Sequence, residues 1–211
     1  MRKVTPYNLE IVSNLTDYYN SIITSHNNFL IDLEEIIEGI KLDIRYATKD
    51  NFTGEVIYSS PKAYLRKPAA EALLKVQDSL NKIGYELLIY DAYRPYSASF
   101  KFFEVYPDSN FVASPRTGSR HNRACAVDLT LIDKKTGNIV DMPTPFDDFS
   151  EKANPYYSDI PPIAKYNRDL LINVMSHFGF TVYPYEWWHF DYKEWNNYLL
   201  MDISFEELND L

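Results

Sequence analysis

Residues 119–131, SRHNRACAVDLTL, join a loop that carries a histidine to a strand that carries an acid. From Ala126 to Leu131 the large apolar side chains fall at every second position, so they face one side of a strand while Asp128 faces the other. An acid within an otherwise apolar strand needs a partner. A metal ion shared with His121 is one such partner, and a strand face open to solvent is the alternative.

Further strands and helices are predicted on both sides of this stretch. Tyr85–Tyr90 is an apolar run of strand length, and shorter strand candidates lie at 42–46, 181–183 and 188–192. Helical spacing predicts helices that begin at Pro68, Ser97 and Ile163, and Gly84 and Gly179 are natural stops for the first and the last. Because strands and helices mix without strict βαβ alternation, we expect an α+β fold.

The N-terminal segment is less regular than the rest of the chain. Between Ser13 and Ile40 the apolar residues fall at mixed helical spacing, which predicts one or two helices. We therefore expect residues 1–38 to form a helical N-terminal extension and residues 39–211 to form the main domain.

Composition excludes several classes of function. The net charge of -9 repels phosphate backbones, so no nucleic-acid partner is expected. The single cysteine allows neither an intrachain disulfide nor a cysteine-rich zinc site, and the four histidines keep the search for ligands short. No apolar stretch approaches the ~18 residues of a membrane span. We expect a cytoplasmic protein as the sequence stands, or a periplasmic one if a signal peptide has been removed; the oligomeric state stays open.

A second histidine lies close to an acid in Glu186-Trp-Trp-His189. Imidazole is a common zinc ligand, and a carboxylate three residues away could reach a water on the metal. Positions three apart face opposite sides of a straight strand, so we expect Glu186 on a turn before the strand, supplied by residues 183–185. The alternative is an aromatic core segment with a hydrogen-bonded histidine.

A third candidate is Arg94, in Asp91-Ala-Tyr-Arg-Pro95, at the end of an apolar strand. An arginine there could stabilise an oxyanion or bind a carboxylate. The alternative is an ordinary ion pair between Arg94 and Asp91. Cys125, among small residues, is expected to be buried, with a place beside the metal as the alternative.

Together, these motifs resemble the D-alanyl-D-alanine dipeptidases, within a wider family of zinc peptidases that includes D,D-carboxypeptidases and L,D-endopeptidases. The resemblance covers roughly residues 40–192. It rests on Asp43–Thr48 with Asn51–Gly54, on Tyr90–Pro95, on Ser119-x-His followed by Asp128–Leu131, and on Glu186–His189. It implies a single domain with a central, mostly antiparallel sheet flanked by helices, a zinc site at the sheet, and a zinc peptidase domain over residues 39–211.

The resemblance also implies roles for particular residues. One zinc ion per chain would be held by His121, Asp128 and His189. Glu186 would be the general acid/base, and Arg94 would stabilise the tetrahedral intermediate. Asp147 would hold the free amino group of a dipeptide, with Asp148 as its alternative, and Ser119 and Asp91 would contact the substrate.

Two residues depart from the family pattern. Ala124 stands where the family usually has glycine, and a positive φ there would cost about 1 kcal/mol of strain. Arg120 stands where a small polar residue is usual. A side chain of this size could narrow the pocket, and its positive charge could change the electrostatics of the pocket.

The expected reaction is hydrolysis of the small dipeptide D-alanyl-D-alanine to two D-alanines. The alternatives are a D,D-carboxypeptidase or an L,D-endopeptidase that acts on peptidoglycan peptides. A third alternative, of another class, is a non-catalytic binding module stabilised by zinc.

Overall fold

A computed structural model describes residues 3–209 and shows ten strands and six helices there, in irregular order. The strands are β1 (Lys3–Val4), β2 (Glu10–Val12), β3 (Leu30–Asp32), β4 (Lys41–Leu42), β5 (Tyr64–Arg66), β6 (Tyr85–Asp91), β7 (Ala126–Asp133), β8 (Phe180–Tyr183), β9 (Glu186–Tyr192) and β10 (Leu200–Met201). The helices are α1 (Leu15–Thr24), α2 (Leu33–Ile36), α3 (Lys67–Asn81), α4 (Tyr96–Val105), α5 (Pro162–His177) and α6 (Phe205–Asn209). The prediction of an α+β fold is confirmed.

A five-stranded sheet lies at the centre, in the order β4-β6-β7-β9-β8. Strand β4 runs parallel to β6, and every other neighbouring pair is antiparallel, as predicted. Strand β7 lies between β6 and β9, and its residues 126–132 are all buried. The acid-bearing strand is therefore the middle strand of the sheet.

Two long helices pack on this sheet. Helix α3 contacts β6, helix α5 contacts β8, and the two helices contact each other. Each has a proline in its first turn, where the missing N–H breaks no helical hydrogen bond. Leu73, Val76 and Leu80 of α3 are fully buried, as its helical spacing predicts. Helix α5 buries Leu171 and Met175, whereas Tyr166 on another face of the helix is 58% exposed.

The N-terminal segment contains strands as well as the expected helices α1 and α2. Strand β2 pairs antiparallel with β1 and parallel with β10, and β3 pairs antiparallel with β5. Tyr18, Leu30 and Leu33 belong to the same hydrophobic core as the central sheet. Packing is thus continuous across residue 38, and the division into an extension and a domain stays a prediction.

The short strand predicted over residues 42–46 ends earlier than expected. Only Lys41–Leu42 forms a strand, and Arg45–Ala47 is a turn of 3-10 helix. The turn lets Arg45 bond to Asp43 at 2.7 Å and to Asp50 at 2.9 Å, contacts that an extended chain could not combine. It also places Tyr46 beside the cavity described below.

None of the helices formed by residues 3–209 has both the length and the apolar character needed to cross a membrane.

Candidate metal centre and active site

The three predicted ligands come together at the middle of the central sheet. Strand β7 supplies Asp128, and the adjacent strand β9 supplies His189 directly opposite it. His121 comes from a turn of 3-10 helix, His121–Arg123, just before β7. The facing atoms are 3.1 Å apart between His121 Nε2 and His189 Nδ1, and Asp128 Oδ1 lies 3.3 Å and 3.0 Å from them respectively.

These distances fit a tetrahedral divalent metal. Two ligand atoms at about 2.05 Å from a tetrahedral zinc ion lie about 3.3 Å from each other. Asp128 is 3% exposed, so the solvent-facing alternative for this acid is wrong. Its Oδ1 atom is buried and makes no hydrogen bond of good geometry, although both imidazoles are close. A cation would satisfy an oxygen that the protein leaves unpaired.

Each histidine is oriented by a second polar group. Nδ1 of His121 lies 2.7 Å from the Ala92 carbonyl oxygen, which can only accept, so Nδ1 carries the proton and Nε2 is free. Nε2 of His189 lies 2.9 Å from Asp191 Oδ1, which leaves Nδ1 for a metal. Such outer partners fix ligand rings in metal sites. Sequence reasoning missed Asp191, although its place two residues after His189, on the same strand face, was a signal.

Glu186 lies beside these ligands, with its Oε2 atom 3.7 Å from His189 Nδ1. It is the first residue of β9 and follows a tight turn at residues 184–185, so its predicted place on a turn before the strand is wrong by one or two positions. The pairing of β8 with β9 jumps from Val182↔Phe190 to Tyr183↔Glu186. This irregularity breaks the strict alternation of sides and lets Glu186 and His189 line one cavity.

The two tryptophans between Glu186 and His189 belong to the core, as the alternative for this segment expected. Trp187 and Trp188 are each 1% exposed, and Trp187 Nε1 donates a hydrogen bond to Thr144 Oγ1 at 2.9 Å. The segment therefore contributes its two tryptophans to the hydrophobic core and Glu186 and His189 to the cavity.

Burial and charge perturb the acids and bases of this cluster. Burial raises the pKa of Glu186 well above its ordinary value, and Asp128 adds to the effect. Burial also opposes ionisation of Asp128, but the two histidines outweigh it and lower the pKa of that carboxyl. Burial lowers the pKa of His189, whereas Asp191 and Asp128 raise it by more, to about 10. Charges that hold protons on imidazoles so strongly also favour a cation in their place.

Arg94 is both paired with Asp91 and directed to the cavity. Its Nε and Nη2 atoms donate to Asp91 Oδ2 at 3.0 Å and 2.6 Å. The guanidinium lies over the Phe102 ring at 4.6 Å, and Nη2 is 3.9 Å from Asp128 Oδ2. The two interpretations of Arg94, as an ion pair with Asp91 and as a cation that faces the substrate, are therefore compatible. The ion pair holds the guanidinium at the cavity wall.

Asp91 does not border the cavity, which corrects its expected contact with substrate. It is fully buried, and Tyr58 Oη donates to its Oδ1 atom at 2.9 Å. The Asp91 carboxylate accepts hydrogen bonds from Tyr58, Ala92 and Arg94, and it thereby fixes the position of the Arg94 guanidinium.

Asp147 lies in the cavity wall in a left-handed conformation, with φ at 60°. The Tyr46 hydroxyl lies 3.1 Å and 3.0 Å from its two carboxylate oxygens and donates to them. Burial, with a contribution from Asp128, raises the pKa of Asp147 to about 8. Asp148 instead accepts a hydrogen bond from the Ser150 N–H at 3.0 Å and is not part of the wall. Tyr46 was missed as a site residue, although it lies within the Asp43–Thr48 motif.

The cavity around these groups has a volume of about 290 Å³. Aromatic rings form much of its wall: Phe52, Phe102, Phe111, Phe149 and Trp188. Ser119 also borders it, and the Ser119 hydroxyl accepts a hydrogen bond from the His121 N–H at 3.2 Å. Ser119, the predicted substrate contact, therefore also positions His121, a predicted metal ligand.

The two departures from the family pattern have visible consequences. Ala124 has φ 55° and ψ 38°, the left-handed conformation that favours glycine. Arg120 borders the cavity, with its guanidinium 4.8 Å from the Trp195 ring centre and its Nε atom 3.6 Å from Asp191 Oδ2. Cys125 is buried outside the cavity, with its Sγ atom 3.4 Å from the Arg123 carbonyl oxygen, so it does not lie beside the three predicted ligands. Burial raises the pKa of its thiol to about 12.

Comparison with known proteins agrees with this geometry. A family described as D-ala-D-ala dipeptidase matches residues 26–199. The chain belongs to this family. It is therefore a metal-dependent peptidase, and the match extends beyond residues 40–192, where the motifs had placed it.

Three curated relatives have the name D-alanyl-D-alanine dipeptidase. The one from Escherichia coli (strain K12) is 39% identical over 176 residues, which are 83% of this chain and 91% of the relative. The one from Enterococcus faecium is 34% identical over 75% of this chain and 88% of its own length. The one from Streptomyces coelicolor is 32% identical, over 77% and 90% respectively.

Proposed function

We propose that this chain hydrolyses D-alanyl-D-alanine to two D-alanines, with one zinc ion held by His121, Asp128 and His189. The observation that carries the proposal is the cluster of three donor atoms, 3.0 to 3.3 Å apart, beside Glu186 in one cavity. The names of the relatives support the choice of substrate.

Zinc is proposed because two imidazoles and one carboxylate form a typical catalytic zinc set, with one position left open. When bound, zinc would lower the pKa of a water towards about 7 and polarise the peptide carbonyl. The buried charge of Asp128 and the fixed tautomers of both histidines prepare the site for a divalent ion.

Glu186 is proposed as the general acid/base. Its carboxylate, 3.7 Å from a proposed ligand atom, would accept the proton of the attacking water and then deliver it to the leaving nitrogen. Burial raises its pKa, whereas a nearby divalent cation would lower it, so the two effects together would set it near the working pH.

Arg94 is proposed to stabilise the oxyanion that forms on the peptide carbonyl. Its bonds to Asp91 and its contact with the Phe102 ring hold the guanidinium in place before substrate arrives. Donors that need no reorganisation are the effective ones in such sites.

Asp147 is proposed to bind the free amino group of the dipeptide, with Tyr46 as its support. A peptide with a blocked or extended N-terminus would bring no ammonium to this carboxylate and would leave it buried with the Tyr46 hydroxyl but without a cation. That loss would make the enzyme select for length.

The test compares D-Ala-D-Ala with N-acetyl-D-Ala-D-Ala on the zinc-loaded protein. We expect the wild type to cleave the free dipeptide about ten- to a hundredfold faster, because a charge-assisted bond is worth about 1.5 to 3 kcal/mol. Asp147→Asn should lose most of this preference. Asp148→Asn, the matched control at the neighbouring position, should keep kcat/KM for D-Ala-D-Ala within about twofold of the wild type.

Other outcomes would support the alternatives. A preference for blocked or longer peptides would favour a D,D-carboxypeptidase or an L,D-endopeptidase and would exclude the dipeptidase. Zinc and peptide binding without any turnover would favour the binding module.

A further inference from the structure

A D-alanyl dipeptide carries a carboxylate as well as an amine, and the roles proposed above leave the carboxylate without a partner. Within residues 3–209, the guanidinium groups that border the cavity belong to Arg94 and Arg120. Arg94 is already held by Asp91 through two hydrogen bonds. The donors that Arg94 keeps free are assigned above to the oxyanion, which leaves Arg120 as the cation available for the carboxylate.

Contact with Trp195 fixes the position of Arg120 but leaves a hydrogen-bond donor of its side chain without an acceptor. Its Nε atom is buried and has no hydrogen-bond partner within the described part of the chain. Asp191 Oδ2, at 3.6 Å, is too distant to accept a good hydrogen bond. The guanidinium lies 4.8 Å from the Trp195 ring centre, and 38% of the side chain is exposed. Stacking on an aromatic ring fixes the plane of an arginine without using its donors.

The sheet order places Arg120 and Asp147 on different sides of the proposed metal site. Asp147 is bonded to Tyr46, which follows β4 at the edge next to β6. Arg120 lies beside Asp191 of β9, on the other side of the central strand β7. A dipeptide whose scissile carbonyl lies at the metal, with its amine at Asp147, would extend its carboxylate towards Arg120.

We propose that Arg120 recognises the free C-terminal carboxylate of the substrate and is a specificity-determining residue of this chain. The inference rests on the proposed function, which supplies the position of the scissile bond. A guanidinium and a carboxylate match in shape and charge and can form two parallel hydrogen bonds. The enzyme would then recognise both ends of its substrate, Asp147 the amine and Arg120 the carboxylate.

The test measures binding, because binding separates recognition from chemistry. In a zinc-loaded Glu186→Gln background, the dissociation constants of D-Ala-D-Ala and of its C-terminal amide are measured by calorimetry, with and without Arg120→Gln. We expect Arg120→Gln to weaken binding of the free acid about ten- to a hundredfold and binding of the amide less than about twofold.

Arg116→Gln is the matched control. Arg116 is an exposed residue near Arg120 and is not part of the cavity wall, and its guanidinium lies over Tyr7. The same change in charge there should leave both dissociation constants within about twofold of the background protein. The zinc content of each variant is measured beside the titrations.

Two outcomes overturn the proposal. An equal loss for the acid and the amide would mean that Arg120 acts through Asp191 on His189, and unchanged binding of the acid would mean that it has no part in recognition. Failure of the proposed function looks different, as a preference for blocked or longer peptides. The same comparison of acid and amide on such a peptide would then still decide the role of Arg120.

Discussion

At the scale of one residue, the surroundings of Asp128 decide its role. Its position in an alternating strand pointed to a face with an acid, but the pattern could not distinguish a solvated face from a metal site. Burial decides between them, because Asp128 is 3% exposed and its Oδ1 atom lacks a good hydrogen bond. Burial depends on the neighbouring strands, which a local pattern does not contain.

Ala124 gives a prediction of stability. Its φ of 55° strains a residue that has a Cβ atom, so Ala124→Gly should raise the free energy of unfolding by up to about 1 kcal/mol. Ala126→Gly, in strand β7, is the control and should lower it by about 0.5 to 1 kcal/mol. Urea denaturation of the three proteins measures both changes, and a loss of stability in Ala124→Gly would contradict the account.

Asp147 gives a prediction of pH dependence for the protein stripped of metal. The pKa of its carboxyl is about 8 in the folded chain and about 3.9 in an unfolded one, so the folded state binds more protons between these values. By linkage, Asp147 therefore lowers stability increasingly as the pH rises from about 4 to 8.

Replacing Asp147 should remove this effect. The difference in unfolding free energy between Asp147→Asn and wild type should grow by about 1 kcal/mol or more from pH 5 to pH 8, in urea denaturation at each pH. Asp148→Asn, whose carboxylate lies outside the cavity wall, should show no such growth. A difference that is constant with pH would contradict the raised pKa of Asp147.

At the scale of elements, local signals predicted the long helices well and the hairpin before His189 less well. Helices α3 and α5 have a proline in the first turn, and a glycine, Gly84 or Gly179, follows soon after the last turn, all visible in short windows of sequence. The register irregularity between β8 and β9, which brings Glu186 to the side of His189, depends on the pairing of two strands. A single strand pattern could therefore predict that a deviation was needed but not its position.

The loop that carries Ser119 gives a prediction at this scale. Gly118 has φ 69°, and an added Cβ atom would lie 2.7 Å and 2.9 Å from the two terminal carbons of Leu200 in β10. Gly118→Ala should therefore combine backbone strain with a clash, and should move Ser119 away from the cavity. We expect it to lower stability by about 2 to 3 kcal/mol.

Gly137→Ala separates the two effects. Gly137 has a similar φ of 72°, but an added Cβ atom there would have no neighbour within 4 Å. It should therefore cost about 1 kcal/mol, from strain alone. In a Leu200→Ala background the additional cost of Gly118→Ala should disappear, and thermal or urea denaturation would measure it. Equal costs for the two glycines in the wild-type background would contradict the clash.

At the scale of the whole molecule, contacts between distant parts of the chain complete the site. Strand β2 pairs with β10 near the other end of the chain, and Leu200 of β10 contacts the loop that holds Ser119. Sequence patterns gave no sign of this pairing, because the partners share no local motif. The fold class and the set of clustered residues were predicted. The contacts of Tyr46 with Asp147 and of Asp191 with His189, and the buried role of Asp91, required the packed structure. The compartment and the absence of a nucleic-acid partner stay predictions.

The central claim is that Glu186 transfers protons beside a metal ion to hydrolyse the dipeptide. It is tested most directly by D-alanine release from D-Ala-D-Ala, with zinc content measured on the same samples of wild type, Glu186→Gln and the exposed-surface control Glu104→Gln. We predict that all three hold one zinc ion per chain, that the control matches the wild type, and that Glu186→Gln loses about a thousandfold or more of kcat. Release by zinc-loaded Glu186→Gln within about tenfold of the wild type, or no release by the wild type, would contradict the account.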